Sequence, residues 1–288
     1  MNRKAGCVTV TRIFAGYMSL GLIMTVARTE EVAALQETTA IVGTTIIDGN
    51  GGPPIEDGTI VIRGTQISAV GPRISTDVPA DARVIDGRGK FVTPGFVDTN
   101  VHHSIPGGRG WNETYARYWE RHADVVLQGM QLQLKYGVTT VRDSYGALLP
   151  GIEARDAIKR GEEVGPRMYV AGNIVGWGGP YSMTFSVLPE SELTLFEEQV
   201  NDFITQGSGE EWMHMTPDEL RIAVNAYLDK GPDFIKYGGT THSSYPSLIG
   251  FSPRAQRVIV NATHERGLVA ETHATSLEGL RLAIEAGV

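Results

Sequence analysis

Hydrophobic positions divide the chain into a short β-rich segment and a longer segment of alternating patterns. Between residues 40 and 86, short apolar runs are broken by turn residues, which predicts a small all-β domain over residues 38–90. From residue 91 onward, apolar runs of strand length alternate with longer stretches of helical spacing. That alternation is typical of βα units on a parallel sheet, so we expect an α/β domain over residues 91–288.

The α/β segment contains five predicted strands and five predicted helices. The strands cover residues 92–101, 138–143, 167–172, 233–238 and 268–273. The helices cover residues 120–136, 152–160, 217–230, 253–266 and 276–286. Four glycines are expected to end the first four helices, namely Gly137, Gly161, Gly231 and Gly267. Thr216 followed by Pro217 predicts an N-cap with proline at the first helical position.

Two segments fit neither pattern. Residues 105–119 and 177–215 are rich in glycine, aromatic and polar residues, and we predict long loops after the first and third strands. In a barrel, the loops after the strands build the mouth of the active site. These segments are therefore interpreted as substrate-shaping elements, with surface elaboration as the alternative.

Composition and charge limit the classes of function. With 288 residues and 41% hydrophobic content, the chain can bury a large core. Its net charge of −8 comes from acidic and basic residues mixed along the whole length, without a basic stripe. Nucleic acid is therefore not an expected partner.

The first 34 residues predict an export signal. Basic residues accompany an apolar run over residues 13–27, and small residues permit cleavage after Ala27 or Ala34. We expect an exported, periplasmic or extracellular protein with no stable membrane span in the mature form, and an uncleaved N-terminal anchor is the alternative. Cys7 is the only cysteine and lies in this signal, so a metal ion in the mature chain must be held by nitrogen and oxygen ligands.

The stretch Phe91-Val92-Thr93-Pro94-Gly95-Phe96-Val97-Asp98-Thr99-Asn100-Val101-His102-His103 carries a family resemblance. It resembles the first barrel strand of the amidohydrolase superfamily, which reads Pro-Gly-x-x-Asp-x-His-x-His. Residues 137–143 and 165–167 continue the resemblance. Residues 43–49, 62–71 and 84–90 look like the N-terminal β-sandwich strands of the imidazolonepropionase-like and Xaa-Pro dipeptidase-like branch. The resemblance implies a (β/α)8 TIM barrel with a small N-terminal β-sandwich domain.

The His-x-His pair of that pattern is altered here. Residues i and i+2 of a strand point to the same side, so two such histidines can hold one metal ion. In this chain the pair reads Asn100 and His102, so an amide replaces the first imidazole. Because an amide oxygen is a weaker ligand than imidazole, the more deeply held ion of a two-metal site is in doubt. His102 and Asn100 remain candidate metal ligands, with a structural histidine as the alternative for His102.

Two further strands complete the candidate site. Residues 231–239 are similar to the fourth strand of the superfamily, whose lysine is carboxylated and bridges two metals, which implies this role for Lys236. A lysine reaching solvent from the strand end is the alternative. Residues 268–274 are similar to the fifth strand and imply that His273 is a metal ligand. Tyr237 and His242, which lie close to Lys236 in sequence, are candidate substrate-binding residues. For His242, an ordinary loop histidine is the favoured alternative.

The resemblance implies a metal-dependent hydrolase of carbon–nitrogen bonds in amides, peptides or cyclic amides. It implies a small-molecule or short-peptide substrate and one or two divalent metal ions, zinc foremost. The catalytic residue stays unknown, because the implied aspartate follows the eighth strand, beyond Val288. Two alternatives stay open: a non-catalytic barrel that acts as a binding scaffold, and a related metal hydrolase of phosphoester or lactone bonds. Homo-oligomerisation is also left open.

The number of strands leads to one more expectation. A (β/α)8 barrel typically needs about 250 residues, whereas residues 91–288 provide only five predicted strands. The chain is therefore expected to be an N-terminal fragment that stops before the sixth strand. An open arc with an unpaired edge is expected to be poorly soluble and inactive.

Overall fold

The computed structural model of the protein describes residues 37–105, 110–186, 188–242 and 247–288. The chain forms two compact units, the first ending at Thr93 and the second covering Pro94–Val288. The predicted signal peptide, residues 1–34, lies outside the described residues and stays a prediction.

Residues 37–93, the described part of the first unit, contain one mixed five-stranded sheet. Its strands are β1 (Thr38–Ile46), β2 (Ile55–Arg63), β3 (Gln66–Pro72), β4 (Arg83–Asp86) and β5 (Phe91–Val92). The strand order is β3-β2-β1-β4, and β5 also pairs with β1. Antiparallel pairing joins β1 to β2 and β2 to β3, whereas β4 and β5 run parallel to β1. A Cβ atom at Gly58 would lie 2.4 Å from Ile46 Cδ1, so β1 and β2 approach too closely there for a side chain.

The described residues of the second unit contain six parallel strands. They are β6 (Phe96–Val101), β7 (Val138–Asp143), β8 (Arg167–Val170), β9 (Ile174–Val175), β10 (Phe234–Gly238) and β11 (Val269–His273). They form two three-stranded sheets in the orders β6-β7-β8 and β9-β10-β11. A strand is present at each of the five predicted positions, and the two-residue strand β9 was not predicted. Within each sheet, the three carboxyl ends share one edge, because the strands are parallel.

In the part of the second unit that the structure describes, seven α-helices accompany these strands. They are α1 (Trp111–Tyr118), α2 (His122–Lys135), α3 (Leu148–Arg160), α4 (Leu195–Thr205), α5 (Pro217–Leu228), α6 (Pro253–Glu265) and α7 (Leu277–Ala286). Thr216 caps α5 as predicted, and its side chain accepts a hydrogen bond from the backbone of Glu219. The four glycines predicted to end helices all have positive φ. No helix in the described ranges is both long and apolar enough to cross a membrane.

The prediction of two long loops was wrong in part. Residues 105–119 contain α1, and residues 177–215 contain α4 together with two short 3-10 helices. Thr194 and Glu197 form a reciprocal capping box at the start of α4. Both segments contribute to one hydrophobic cluster, which includes Tyr115, Trp177 and Ile204. The aromatic residues of these segments, which suggested irregular loops, instead pack the helices into this hydrophobic cluster.

Candidate active site

Three polar side chains meet where strands of the two parallel sheets end. Asn100 lies one residue before the end of β6, Ser144 directly follows β7, and Lys236 lies two residues before the end of β10. The Lys236 ammonium donates to Asn100 Oδ1 at 2.9 Å and to Ser144 Oγ at 3.1 Å. The Ser144 hydroxyl also donates to Asn100 Oδ1, at 2.5 Å. Residues 136 positions apart are thus joined in a closed triangle of hydrogen bonds.

Lys236 is the charged residue of this cluster. Its side chain is buried, with 6% of its surface exposed. Burial lowers the pKa of Lys236, and the carboxylate of Glu271 opposes that effect. Glu271 is itself engaged, because its carboxylate forms an ion pair with Arg142 at 2.5 Å. Lys236 therefore has neutral oxygens as its direct partners, and the nearby carboxylate is shared with another cation.

His102 and His273 lie in the same electrostatic environment. Burial lowers the pKa of each histidine to about 4, and the positive charge of Lys236 contributes to both shifts. Both imidazoles are consequently neutral at pH 7, with a ring nitrogen lone pair available to a ligand. His273 Nε2 is buried and has no hydrogen-bond partner among the described residues. A buried nitrogen without a partner is unfavourable unless something else occupies that position.

An aromatic wall borders His273. The Trp177 ring lies 4.6 Å from the His273 ring, and the His242 ring lies 5.3 Å from it, both measured between centroids. The His242 ring also stacks on Phe185 with centroids 4.4 Å apart. The structure therefore brings the predicted residue His242 to the candidate site. Trp177 and Phe185 were missed because they lie in the segment predicted as a loop.

Tyr237 does not join this cluster. Its hydroxyl donates to Gln256 in α6 at 2.9 Å, and its side chain is completely buried in the main hydrophobic core. Successive residues of a strand point to opposite faces, so Tyr237 faces the helices when Lys236 faces the cluster. The placement argues against a direct substrate contact by Tyr237.

Asp143, the last residue of β7, is buried next to this region. Its buried carboxyl has a pKa raised to about 8 by burial, and the backbone N–H groups of His103 and Tyr145 counteract that shift. These contacts tie the end of β7 to the residue after His102. Ser144 follows Asp143 directly, and no signal in the sequence distinguished it as a site residue.

A cavity of about 570 Å³ opens beside these residues. Asn100, Lys236, Glu271 and His273 line it. Leu280 and Ile284 of α7 supply apolar parts of its wall. The cavity therefore combines nitrogen and oxygen donors with apolar surface, as small-molecule sites do.

The donor set fits a divalent metal ion on one condition. No three His, Cys, Asp or Glu side chains within the described part of the chain gather closely enough to hold a metal. His102 and His273 provide two neutral imidazoles, but a lysine ammonium beside them repels a cation. Carboxylation of Lys236 would remove that positive charge and supply an oxygen ligand. The residues present fit a metal ion if Lys236 is carboxylated.

No family model matches the chain. A solved molinate hydrolase is 36% identical with a TM-score of 0.80, and the match covers 87% of this chain and 56% of that one. A solved phenylurea hydrolase B is 34% identical with a TM-score of 0.81, and the match covers 87% and 58% of the two chains.

Other relatives match stretches of different length. A 5-methylthioadenosine/S-adenosylhomocysteine deaminase from Symbiobacterium thermophilum is 33% identical over 174 residues, which are 54% of this chain and 38% of the relative. Proteins named imidazolonepropionase and Xaa-Pro dipeptidase match as well. The chain thus spans between 38% and 58% of the length of the three proteins compared in detail.

Proposed function

The chain belongs to the amidohydrolase superfamily, and on that premise we propose that it hydrolyses a carbon–nitrogen bond with a divalent metal ion. The proposed bond is an amide, peptide or cyclic amide bond in a small molecule or short peptide. One observation carries the proposal. Two neutral imidazoles and a buried lysine converge at the carboxyl ends of parallel strands, and His273 Nε2 has no partner there among the described residues.

The fold supports the proposal. Strands β6 to β11 are parallel and follow the chain in order within each sheet, as the strands of a (β/α)8 barrel do. We propose that Pro94–Val288 contributes to such a barrel, and that the five-stranded sheet before it belongs to a β-sandwich. In barrel enzymes the active site lies at the carboxyl ends of the strands, where Asn100, Lys236 and His273 lie.

We propose His102, His273 and carboxylated Lys236 as the metal-holding residues. Metal dependence is general to the superfamily. Zinc is the proposed ion, because imidazole nitrogen and carboxylate oxygen are its usual ligands in proteins without cysteine. When bound, such an ion polarises an acyl oxygen and makes water a better nucleophile near neutral pH.

The remaining residues of the chain shape the substrate site in this proposal. Trp177, Phe185 and His242 form an aromatic wall against His273. Aromatic side chains bury large apolar areas, so this wall is suited to an apolar substituent on the acyl or nitrogen side of the scissile bond. Two solved neighbours are named for the hydrolysis of molinate and of phenylureas, and both compounds serve as test substrates.

The experiment compares His273→Ala with a matched control in the full-length gene product. His264 is an exposed histidine in α6 and supplies the control variant His264→Ala. After growth with added zinc and bicarbonate, wild type and His264→Ala should contain zinc and hydrolyse at least one of the two compounds. His273→Ala should lose metal and activity together. Equal metal content in the two variants would contradict the assignment of His273.

A second candidate function is a binding scaffold without catalysis. It is favoured by the lack of any group of three His, Cys, Asp or Glu side chains placed to hold a metal in the described ranges. The same purification separates the two functions. Wild-type protein with less than about a tenth of an equivalent of zinc, manganese or iron would support the scaffold. Metal without activity on amides or ureas would direct the search to phosphoester and lactone substrates.

A further inference from the structure

Both acceptor positions of the Asn100 carboxamide oxygen are occupied within the cluster. Both lone pairs of Oδ1 accept hydrogen bonds, one from Lys236 Nζ and one from the Ser144 hydroxyl. An ammonium group can only donate, so the oxygen of the carboxamide, and not its nitrogen, must face Lys236. The orientation of the amide is therefore determined by its neighbours.

The carboxamide nitrogen then points the opposite way. Asn100 Nδ2 has no hydrogen-bond partner among the described residues, since the side chain is bonded there through Oδ1. Asn100 is exposed and lines the cavity of about 570 Å³ together with Lys236 and His273. Two N–H donors are thus offered to this cavity next to the proposed metal-holding residues.

We propose that Asn100 is a substrate-binding residue whose amide nitrogen donates a hydrogen bond to the acyl oxygen of the substrate, and that Ser144 and Lys236 hold it in this orientation. The inference rests on the proposed function, since it names the group that the site recognises at the scissile bond. It assigns Asn100 a role that excludes direct metal ligation through Oδ1, because that oxygen has no lone pair left.

The orientation persists if Lys236 is carboxylated. A carboxylated lysine keeps one N–H on Nζ, which can still donate to Asn100 Oδ1. Ser144 is completely buried, and its hydroxyl is a second donor to Asn100 Oδ1. Ser144 is therefore a positioning residue for Asn100. A donor that is fixed before the substrate arrives stabilises developing negative charge on an acyl oxygen more than a mobile one does.

Substitutions of Asn100 separate donor from ligand. Asn100→Asp keeps two oxygens that accept from Lys236 and Ser144 but removes the N–H donors. Its kcat/KM for the hydrolysed test compound should fall about 100-fold, because that is the usual effect of removing one preorganised donor. Asn100→Ala should lose activity while its zinc content stays at the wild-type level. Loss of zinc in Asn100→Ala, or full activity in Asn100→Asp, would overturn the proposal.

Substitutions of Ser144 test the positioning role. Ser144→Ala should lower kcat/KM about 10-fold without loss of zinc, since the amide is then held by Lys236 alone. Ser144→Thr retains the hydroxyl and should restore most of the activity. If Ser144→Ala and Ser144→Thr were equally impaired, the hydroxyl would have no positioning role.

A spectroscopic titration gives a readout that does not depend on turnover. The side-chain ¹⁵N–¹H₂ signals of Asn100 can be assigned in wild-type protein because they are missing in Asn100→Asp. Adding a phenylurea or molinate to metal-free protein should shift these signals, and adding zinc alone should shift them little. Shifts caused by zinc alone, or no shift with either compound, would overturn the proposal. Wild-type protein that shows the shift but no turnover with zinc would instead contradict the proposed function.

Discussion

Two buried tyrosines should respond in opposite directions to the same chemical change. Tyr115 and Tyr145 are both completely buried. The Tyr115 hydroxyl donates to the carbonyl oxygen of Ser104 at 3.3 Å. The Tyr145 hydroxyl has no hydrogen-bond partner among the described residues. Replacing each by phenylalanine removes one hydroxyl and leaves the ring in place, so the two variants form a matched pair.

The structure gives the sign and size of each effect. Tyr115→Phe loses one long hydrogen bond, but Ser104 O keeps His122 Nε2 at 2.7 Å, so the cost should be about 0.5–1 kcal/mol of unfolding free energy. A buried hydroxyl without a partner costs about 1–3 kcal/mol of native-state stability, and Tyr145→Phe removes this hydroxyl. This variant should be at least as stable as wild type, and stabilised by about 1 kcal/mol.

Thermal unfolding in parallel measures the difference. For a unit of this size, 1 kcal/mol corresponds to a change in Tm of about 2–4 °C. Tyr145→Phe should therefore unfold about 3–8 °C above Tyr115→Phe. The reasoning is refuted if Tyr145→Phe has the lower Tm of the two, since the Tyr145 hydroxyl would then have a stabilising partner.

Three further predictions concern the site and its supporting helices. Lys236→Ala should be inactive and regain partial activity with a short-chain carboxylic acid, which would replace the missing carboxylate; no recovery at any concentration would count against carboxylation. Asn100→His should raise the metal affinity or stoichiometry measured by equilibrium dialysis, because it adds an imidazole ligand at a position whose amide oxygen is already occupied by Lys236 and Ser144; two tightly bound ions in the wild type would remove the basis of this prediction. Thr194→Ala should lower the unfolding free energy by about 1 kcal/mol, because it removes the capping box of α4; an unchanged urea midpoint would show that this cap contributes nothing.

The regular parts of the fold were accessible from the sequence. Apolar runs located β7 at the predicted residues 138–143, and the other main strands of the second unit within a few positions. Thr216-Pro217 and Gly161 marked a helix start and a helix end correctly, because capping depends on local backbone geometry. Helix α4 also had a local signal, the spacing of Thr194 and Glu197, but the glycine and aromatic content around it favoured a loop.

The site was accessible only in part. Strand position predicted that His102, Lys236 and His273 would share one end of the sheets, because parallel strands end on one side. Ser144 could not be predicted, because its contacts with Asn100 and Lys236 join residues far apart in sequence. Tyr237 is buried in the helix-facing core. Its side chain points there because the adjacent residue of β10, Lys236, faces the cluster, and the sequence alone did not say which of the two would do so.

The central claim is that Lys236 completes a metal site with His102 and His273. The most direct measurement is the metal content of full-length gene product and its Lys236→Ala variant, both purified after growth with added zinc and bicarbonate. The account predicts about one zinc ion per wild-type chain and less than about a tenth of an equivalent in the variant. Equal metal content in the two proteins, or a wild-type protein without metal, would contradict it.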